Sequence, residues 1–152
     1  EHWNVDAVTL NPFLGFDTIE PFLQYEGKGA YLLAVTSNAG SADFQMQRTA
    51  DGRYLFELVQ DMATKAKGLP GDVGLVVGLT NASNEVRSRI ADLPLLMPGL
   101  GAQGGDLQEL AKDQRRAPVV VNVSRGVLYD GDSFAESARR FKDQINSVML
   151  SD

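Results

Sequence analysis

A chain of 152 residues with 43% apolar and 22% charged side chains has the size and composition of one globular domain with a sizeable core. Its net charge of −6, with the arginines scattered rather than clustered, argues against a sequence-independent nucleic-acid binder, which needs a basic face to displace counterions. Cysteine is absent and the single histidine, His2, stands at the extreme end, so disulfides, thiolate nucleophiles and His- or Cys-based metal sites are not expected.

The chain begins at Glu1 without a methionine and enters a strand-like run almost at once, which reads as a cut made inside a larger domain. That first strand is predicted over Val5 to Leu10, followed by a turn through Asn11, Pro12 and Gly15. Asp17-x-x-Glu20 has the spacing of a capping box, and predicts a helix with Ile19, Phe22 and Leu23 on its apolar face. The Phe13, Phe16 and Phe22 group is expected in the core. A second strand follows at Tyr31 to Thr36, then a polar stretch from Ser37 to Asp51. A longer helix is predicted from Arg53 to Lys67, with Leu55, Leu58, Met62 and Ala66 on one face.

Pro70-Gly71 marks a turn before the third strand, Val73 to Leu79. Ser83 is placed to cap a helix bearing Val86, Ile90 and Leu93, and the fourth strand is Pro94 to Met97. Asp106-x-x-Glu109 caps the next predicted helix. Pro118 to Val123 is the fifth strand, and Ser133-x-x-Glu136 opens a last helix with Phe134, Ala138, Phe141, Ile145 and Val148 at helical spacing.

Wholly apolar strands alternating with amphipathic helices predict an α/β fold whose parallel sheet is covered on both faces. An open doubly wound sheet and part of an eight-stranded barrel both fit. Five units cannot close a barrel, which typically needs about 250 residues. In either architecture ligands bind at the carboxyl ends of the strands. Those ends read Asn11, Thr36-Ser37-Asn38, Thr80-Asn81, Pro98 to Gly105 and Ser124-Arg125. The set is polar and nearly uncharged; it offers a place to bind but no general acid or base.

Gly99-Leu100-Gly101-Ala102-Gln103-Gly104 matches the letters of a dinucleotide motif. The next strand, however, ends Asn122-Val123-Ser124-Arg125, with no acid to hold a ribose. No Gly-Lys-Ser/Thr follows, which removes the nucleoside-triphosphate P-loop. What remains is a glycine loop exposing backbone N–H groups, with an arginine fork one strand later: a site for a phosphorylated small molecule.

These residues resemble the orotidine 5′-phosphate decarboxylase family in its bacterial form, along almost the whole chain. The resemblance is carried by Asp6 to Gly15, Leu33 to Asn38, Val76-Val77-Gly78, Pro98 to Gly105 and Asn122 to Arg125. It implies a (β/α)8 TIM barrel, of which residues 1–152 supply about the C-terminal five βα units. It also implies a cytoplasmic homodimer that converts orotidine 5′-monophosphate to UMP and CO2 with no metal or organic cofactor, no nucleic acid and no membrane partner.

By the same resemblance Arg125 grips the phosphate together with backbone N–H groups around Gly104, Gly105 and Arg125. Gln103 bridges phosphate and pyrimidine, Ser37 reads the amide edge of the base, and Pro98 packs near the ring. Asn11, Asn38 and Ser124 are further candidates, the two asparagines fitting loop capping as well as ligand contact. Ser37 could serve only a turn, Gln103 could be solvated and Arg125 could be a surface arginine. The family's Asp-x-Lys-x-x-Asp catalytic motif does not occur in this sequence, so the chain corresponds to the binding half, inactive by itself. Two other readings stand beside this one: a non-catalytic phosphate-ligand binding module, and a different phosphate-binding TIM-barrel enzyme.

Overall fold

A computed structural model describes residues 4–78, 82–99, 115–129 and 133–149. Five strands form one sheet in sequential order: β1 (Ala7–Leu10), β2 (Gly29–Val35), β3 (Asp72–Val77), β4 (Leu95–Pro98) and β5 (Val119–Asn122). Every neighbouring pair is parallel. Sequential parallel order is what repeated right-handed βα crossovers produce, and it is the arrangement of a partial (β/α) barrel.

Period-two alternation gives the sheet two faces. Ala30, Leu32, Leu75, Val77, Leu95 and Met97 are buried and join Phe56, Ala63 and Val86 of the covering helices in one core cluster. Leu33, Val76 and Leu96 stand in the adjoining register row, with Leu33 opposite Val76 and Val76 opposite Leu96. Val76 is buried yet lies outside that cluster. Burial thins toward the margins of the described sheet, where Val120 of β5 is 48% exposed.

The helices are α1 (Ser41–Phe44), α2 (Leu55–Lys65), α3 (Asn84–Ser88), α4 (Arg125–Tyr129) and α5 (Phe134–Met149). Ser83 caps α3 as expected, its Oγ accepting from the Val86 N–H at 3.3 Å. Ser133 likewise opens α5, accepting from the Glu136 N–H at 3.2 Å. The helix expected at Asp106 lies outside the described residues.

Several expectations are corrected. No α-helix starts at Asp17; Pro12–Leu14, Phe16–Thr18 and Glu20–Leu23 are separate 3-10 turns. A helix capped by Asp17 would need the N–H of residue 21 to bond back to the cap carbonyl, and Pro21 has none. The separate turns do not continue one apolar face: Ile19 and Leu23 are buried, whereas Phe13 and Phe22 are exposed and do not enter the core. Phe13 instead meets Phe44 edge to face at 5.3 Å.

In α2 the buried positions are Phe56, Gln60 and Ala63, one residue round from the predicted Leu55, Leu58 and Met62, while Ala66 of the predicted face is buried at the C-cap. The shift is set by Gln60, whose amide receives the Ala91 N–H at 2.5 Å and donates to the Arg89 carbonyl at 3.0 Å, binding α2 to the segment after α3. In α5 Ser137 and Phe141 make the buried contact and Phe134 is exposed.

Arg115 departs from the solvated arginines the sequence suggests. Its side chain is 9% exposed, and its guanidinium donates to the carbonyls of Ala91 and Leu93 at 2.5 and 3.0 Å. Beside it, Asp92 accepts from the backbone N–H groups of Arg116 and Ala117. These bonds, at the amino ends of β4 and β5, lie opposite the predicted ligand edge.

Candidate ligand-binding site

The carboxyl edge of a parallel sheet collects the loops that follow each strand, and the described candidates all lie there. β2 reaches that edge through a register shift between Leu33 and Val35, and both Ala34 and Val35 are buried. Such irregularities re-aim the residues that follow. Thr36 comes next and is held from the side. Its N–H donates to Gln45 Oε1 at 2.8 Å, and its Oγ1 receives Gln45 Nε2 at 2.8 Å and donates to Asn38 Oδ1 at 2.6 Å. Asn38 therefore does loop work, as does Asn11, whose Oδ1 accepts the Phe13 N–H at 3.1 Å.

Ser37 sits between these anchors, exposed, with its hydroxyl directly over the α-carbon of Gly78 at the end of β3. On the far side, Pro98 closes β4 opposite Asn122 of β5, half-buried. The Gly99 N–H bonds to the Asn122 carbonyl at 3.1 Å, so both strands leave the sheet together. Ser124 Oγ donates to Asn122 Oδ1 at 3.0 Å, and its carbonyl receives the N–H groups of Val127 and Leu128, starting α4.

Arg125 is the first residue of α4 and is exposed. Among the described residues its guanidinium has no hydrogen-bond or ion-pair partner. Its position is fixed from behind by the neighbour Gly126. A Cβ there would fall 2.5 Å from Phe141 Cζ, so only glycine lets the α5 ring pack against α4. Gln103, Gly104 and Gly105 lie outside the described residues.

Lys28 precedes β2 and pairs with Asp6 at 3.3 Å on the opposite edge, and Lys65 lies over the Phe16 ring. Among the described residues no group of three or more His, Cys, Asp or Glu side chains is placed to hold a metal ion. None of the described helices is long and apolar enough to cross a membrane.

Two features escaped the sequence. A cavity of about 340 Å³ opens off the ends of β1 and β2, lined by Asn11, Phe13, Phe44, Gln45 and Phe56 among others. Of the candidate residues it touches only Asn11. The second is Gln45, which pins Thr36 from within a stretch that reads only as polar. Nothing local marks it, because the bond spans nine positions.

A network of paired charges gathers beside the edge. The Arg48 guanidinium lies 4.0 Å above the Tyr54 ring, donates to the Tyr54 hydroxyl at 2.6 Å and pairs with Glu85 at 2.7 Å. That hydrogen bond from Arg48 lowers the Glu85 pKa from the ordinary carboxylate value. Arg89 reaches Glu57 and Glu85 at 3.4 and 3.5 Å, closing a network that fastens the 48–54 turn to α2 and α3. Its members are paired with one another, so it is scaffolding for the 48–54 turn.

Comparison with known proteins agrees with this arrangement. The model of the orotidine 5′-phosphate decarboxylase / HUMPS family matches residues 1–141. Orotidine 5′-phosphate decarboxylase of Delftia acidovorans is 51% identical over 148 residues, 91% of this chain. The chain spans 54% of that relative's length. Among solved structures, the OMP decarboxylase of Leishmania donovani superposes with a TM-score of 0.84 at 34% identity, covering 100% of this chain and 60% of that one. The UMP synthase of the same organism gives 0.83 at 37% identity, covering 99% of this chain and 35% of that one. The family model covers most of the chain and the solved relatives share its fold, so the chain belongs to the orotidine 5′-phosphate decarboxylase / HUMPS family.

Proposed function

We propose that this chain forms the phosphate- and pyrimidine-binding part of an orotidine 5′-phosphate decarboxylase, which converts orotidine 5′-monophosphate to UMP and CO2 in pyrimidine biosynthesis. The observation that carries this reading is the make-up of the carboxyl edge. Among the described residues, an unpartnered guanidinium at Arg125 stands at one end and the exposed hydroxyl of Ser37, next to the anchored Thr36, at the other, with Pro98 between them in strand order. Arg125 takes the phosphate together with Gly104 and Gly105, Gln103 spans phosphate and base, Ser37 reads the base and Pro98 lies along its ring. Ser124 holds the turn that aims Arg125.

The strand ends supply no lysine, aspartate or glutamate, so the charges that drive loss of CO2 come from outside residues 1–152. The working protein is a cytoplasmic homodimer built through the full barrel, with no metal or organic cofactor.

Calorimetric titration of UMP and uridine against the assembled protein tests the assignment. A charge-assisted arginine–phosphate contact contributes about 1.5–3 kcal/mol. Arg125→Ala is therefore expected to weaken UMP by roughly ten- to a hundredfold while uridine hardly changes. Equal loss for both ligands would remove Arg125 from the phosphate site. Binding of UMP without loss of orotidine monophosphate absorbance in the assembled protein would favour a non-catalytic binding module.

A further inference from the structure

We infer that Gly78 is the positioning residue for Ser37, an inference that rests on Ser37 contacting the base. Gly78 is buried directly after β3, and its N–H donates to the Val35 carbonyl at 2.7 Å. A Cβ at this position would overlap Ser37 Oγ and lie 3.0 Å from Ser37 N and 3.1 Å from Ser37 Cβ. Gly78 is not among the glycines with positive φ, so its backbone would accept any residue. The requirement is for space alone. β3 ends in a bare α-carbon because the loop from β2 rests on it.

The contact has two parts with different consequences. The hydroxyl could rotate away from an added methyl group, but the Ser37 backbone nitrogen could not. A methyl at residue 78 would therefore turn the hydroxyl and also lift the backbone on which it stands. Gln45 holds Thr36 from the other side, so the strain falls on Ser37 rather than spreading along the loop. The ligand contact made by Ser37 is thereby set by a residue that itself offers no side chain.

The test titrates UMP and ribose 5-phosphate, which lacks the base, against the full-length protein and its Ser37→Ala, Gly78→Ala, Ser37→Gly and Gly78→Ala/Ser37→Gly variants. Loss of a neutral hydrogen bond reads as roughly three- to tenfold weaker binding. Ser37→Ala and Gly78→Ala are each expected to weaken UMP by that factor and to leave ribose 5-phosphate unchanged. In the Ser37→Gly background, Gly78→Ala is expected to cost clearly less, since the hydroxyl it displaces is gone and only the contact with the residue 37 backbone remains.

The inference is overturned, with the reading of Ser37 intact, if Ser37→Ala weakens UMP selectively and Gly78→Ala does not. It is overturned too if Gly78→Ala weakens both ligands alike, or keeps its full cost in the Ser37→Gly background. If Ser37→Ala itself fails to separate the ligands, the reading of Ser37 falls and this inference with it. Should Gly78→Ala not fold, recovery of folding in the double variant supports the contact, and continued failure overturns it.

Discussion

The β2 and β5 ends of the carboxyl edge are built on opposite plans. At β2 the polar groups are engaged: Gln45 takes the N–H and hydroxyl of Thr36, Asn38 takes the same hydroxyl, and Ser37 is seated on Gly78. At β5 the backbone is tied down through Ser124 and Asn122, while the Arg125 side chain stays open. The difference suits what each end is proposed to recognise. A neutral hydrogen bond discriminates only if its partner is held within tenths of an ångström, so the β2 end is fixed in advance. A guanidinium attracts a phosphate over a longer range and can settle onto it, so the β5 end needs only a firm root.

The strongest way to break this contrast is to remove the root. Phe141→Ala deletes the ring that packs on Gly126, and a buried phenylalanine lost in this way typically costs about 3–5 kcal/mol. Urea unfolding should show the midpoint falling with its slope unchanged, and phosphate affinity should fall although Arg125 is intact. Full affinity in a folded Phe141→Ala protein would show that Arg125 does not depend on α5.

Removing the clamp at the other end has a smaller effect. Gln45→Ala leaves the half-buried Thr36 N–H without its acceptor, a loss of about 1–3 kcal/mol. Amide hydrogen exchange should quicken at Thr36 to Asn38 and stay unchanged at Val127 and Leu128. Faster exchange at both ends would mean that the edge moves as one body.

The smallest effect sharpens the contrast from the opposite edge. Backbone N–H donors from Ala117 and Arg116 lower the Asp92 pKa. A carboxylate whose pKa is lowered by folding contributes stability that is complete above its unfolded value and is lost as pH falls through the folded one. Glu85, lowered by Arg48, follows the same sign. Stability should therefore decline as pH drops below the ordinary carboxylate range, and Asp92→Asn should flatten part of that decline without altering UMP affinity at neutral pH. An affinity change in Asp92→Asn would couple the two edges.

The sheet was readable from the sequence because apolar runs of strand length and small polar boundaries are local signals. The Ser83 and Ser133 caps, Ser37 beyond β2 and Arg125 beyond β5 could all be placed from a few neighbouring letters. The failures have non-local or overlooked causes. Asp17-x-x-Glu20 has the right spacing, but Pro21 lacks the N–H a first turn needs. The α2 face is moved by Gln60, whose partners lie 29 and 31 positions away. Arg115 reads as solvated until Ala91 and Leu93 present their carbonyls to it. Gln45 acts across nine positions and Gly78 on a residue of the preceding βα unit, contacts that appear only when the chain folds.

On the proposed role of Arg125, the packing of Phe141 against Gly126 would make anion affinity thermally sensitive. Of the 16 residues of α5 only Ser137 and Phe141 are buried, while Ile145, Val148 and Met149 pack partly exposed against the core. Local opening of such a helix takes less free energy than global unfolding, and its population grows on warming. In the open state Gly126 loses its stop and Arg125 loses its aim. Warming should therefore weaken retention of a phosphorylated ligand before the sheet melts, while affinity for its unphosphorylated counterpart holds.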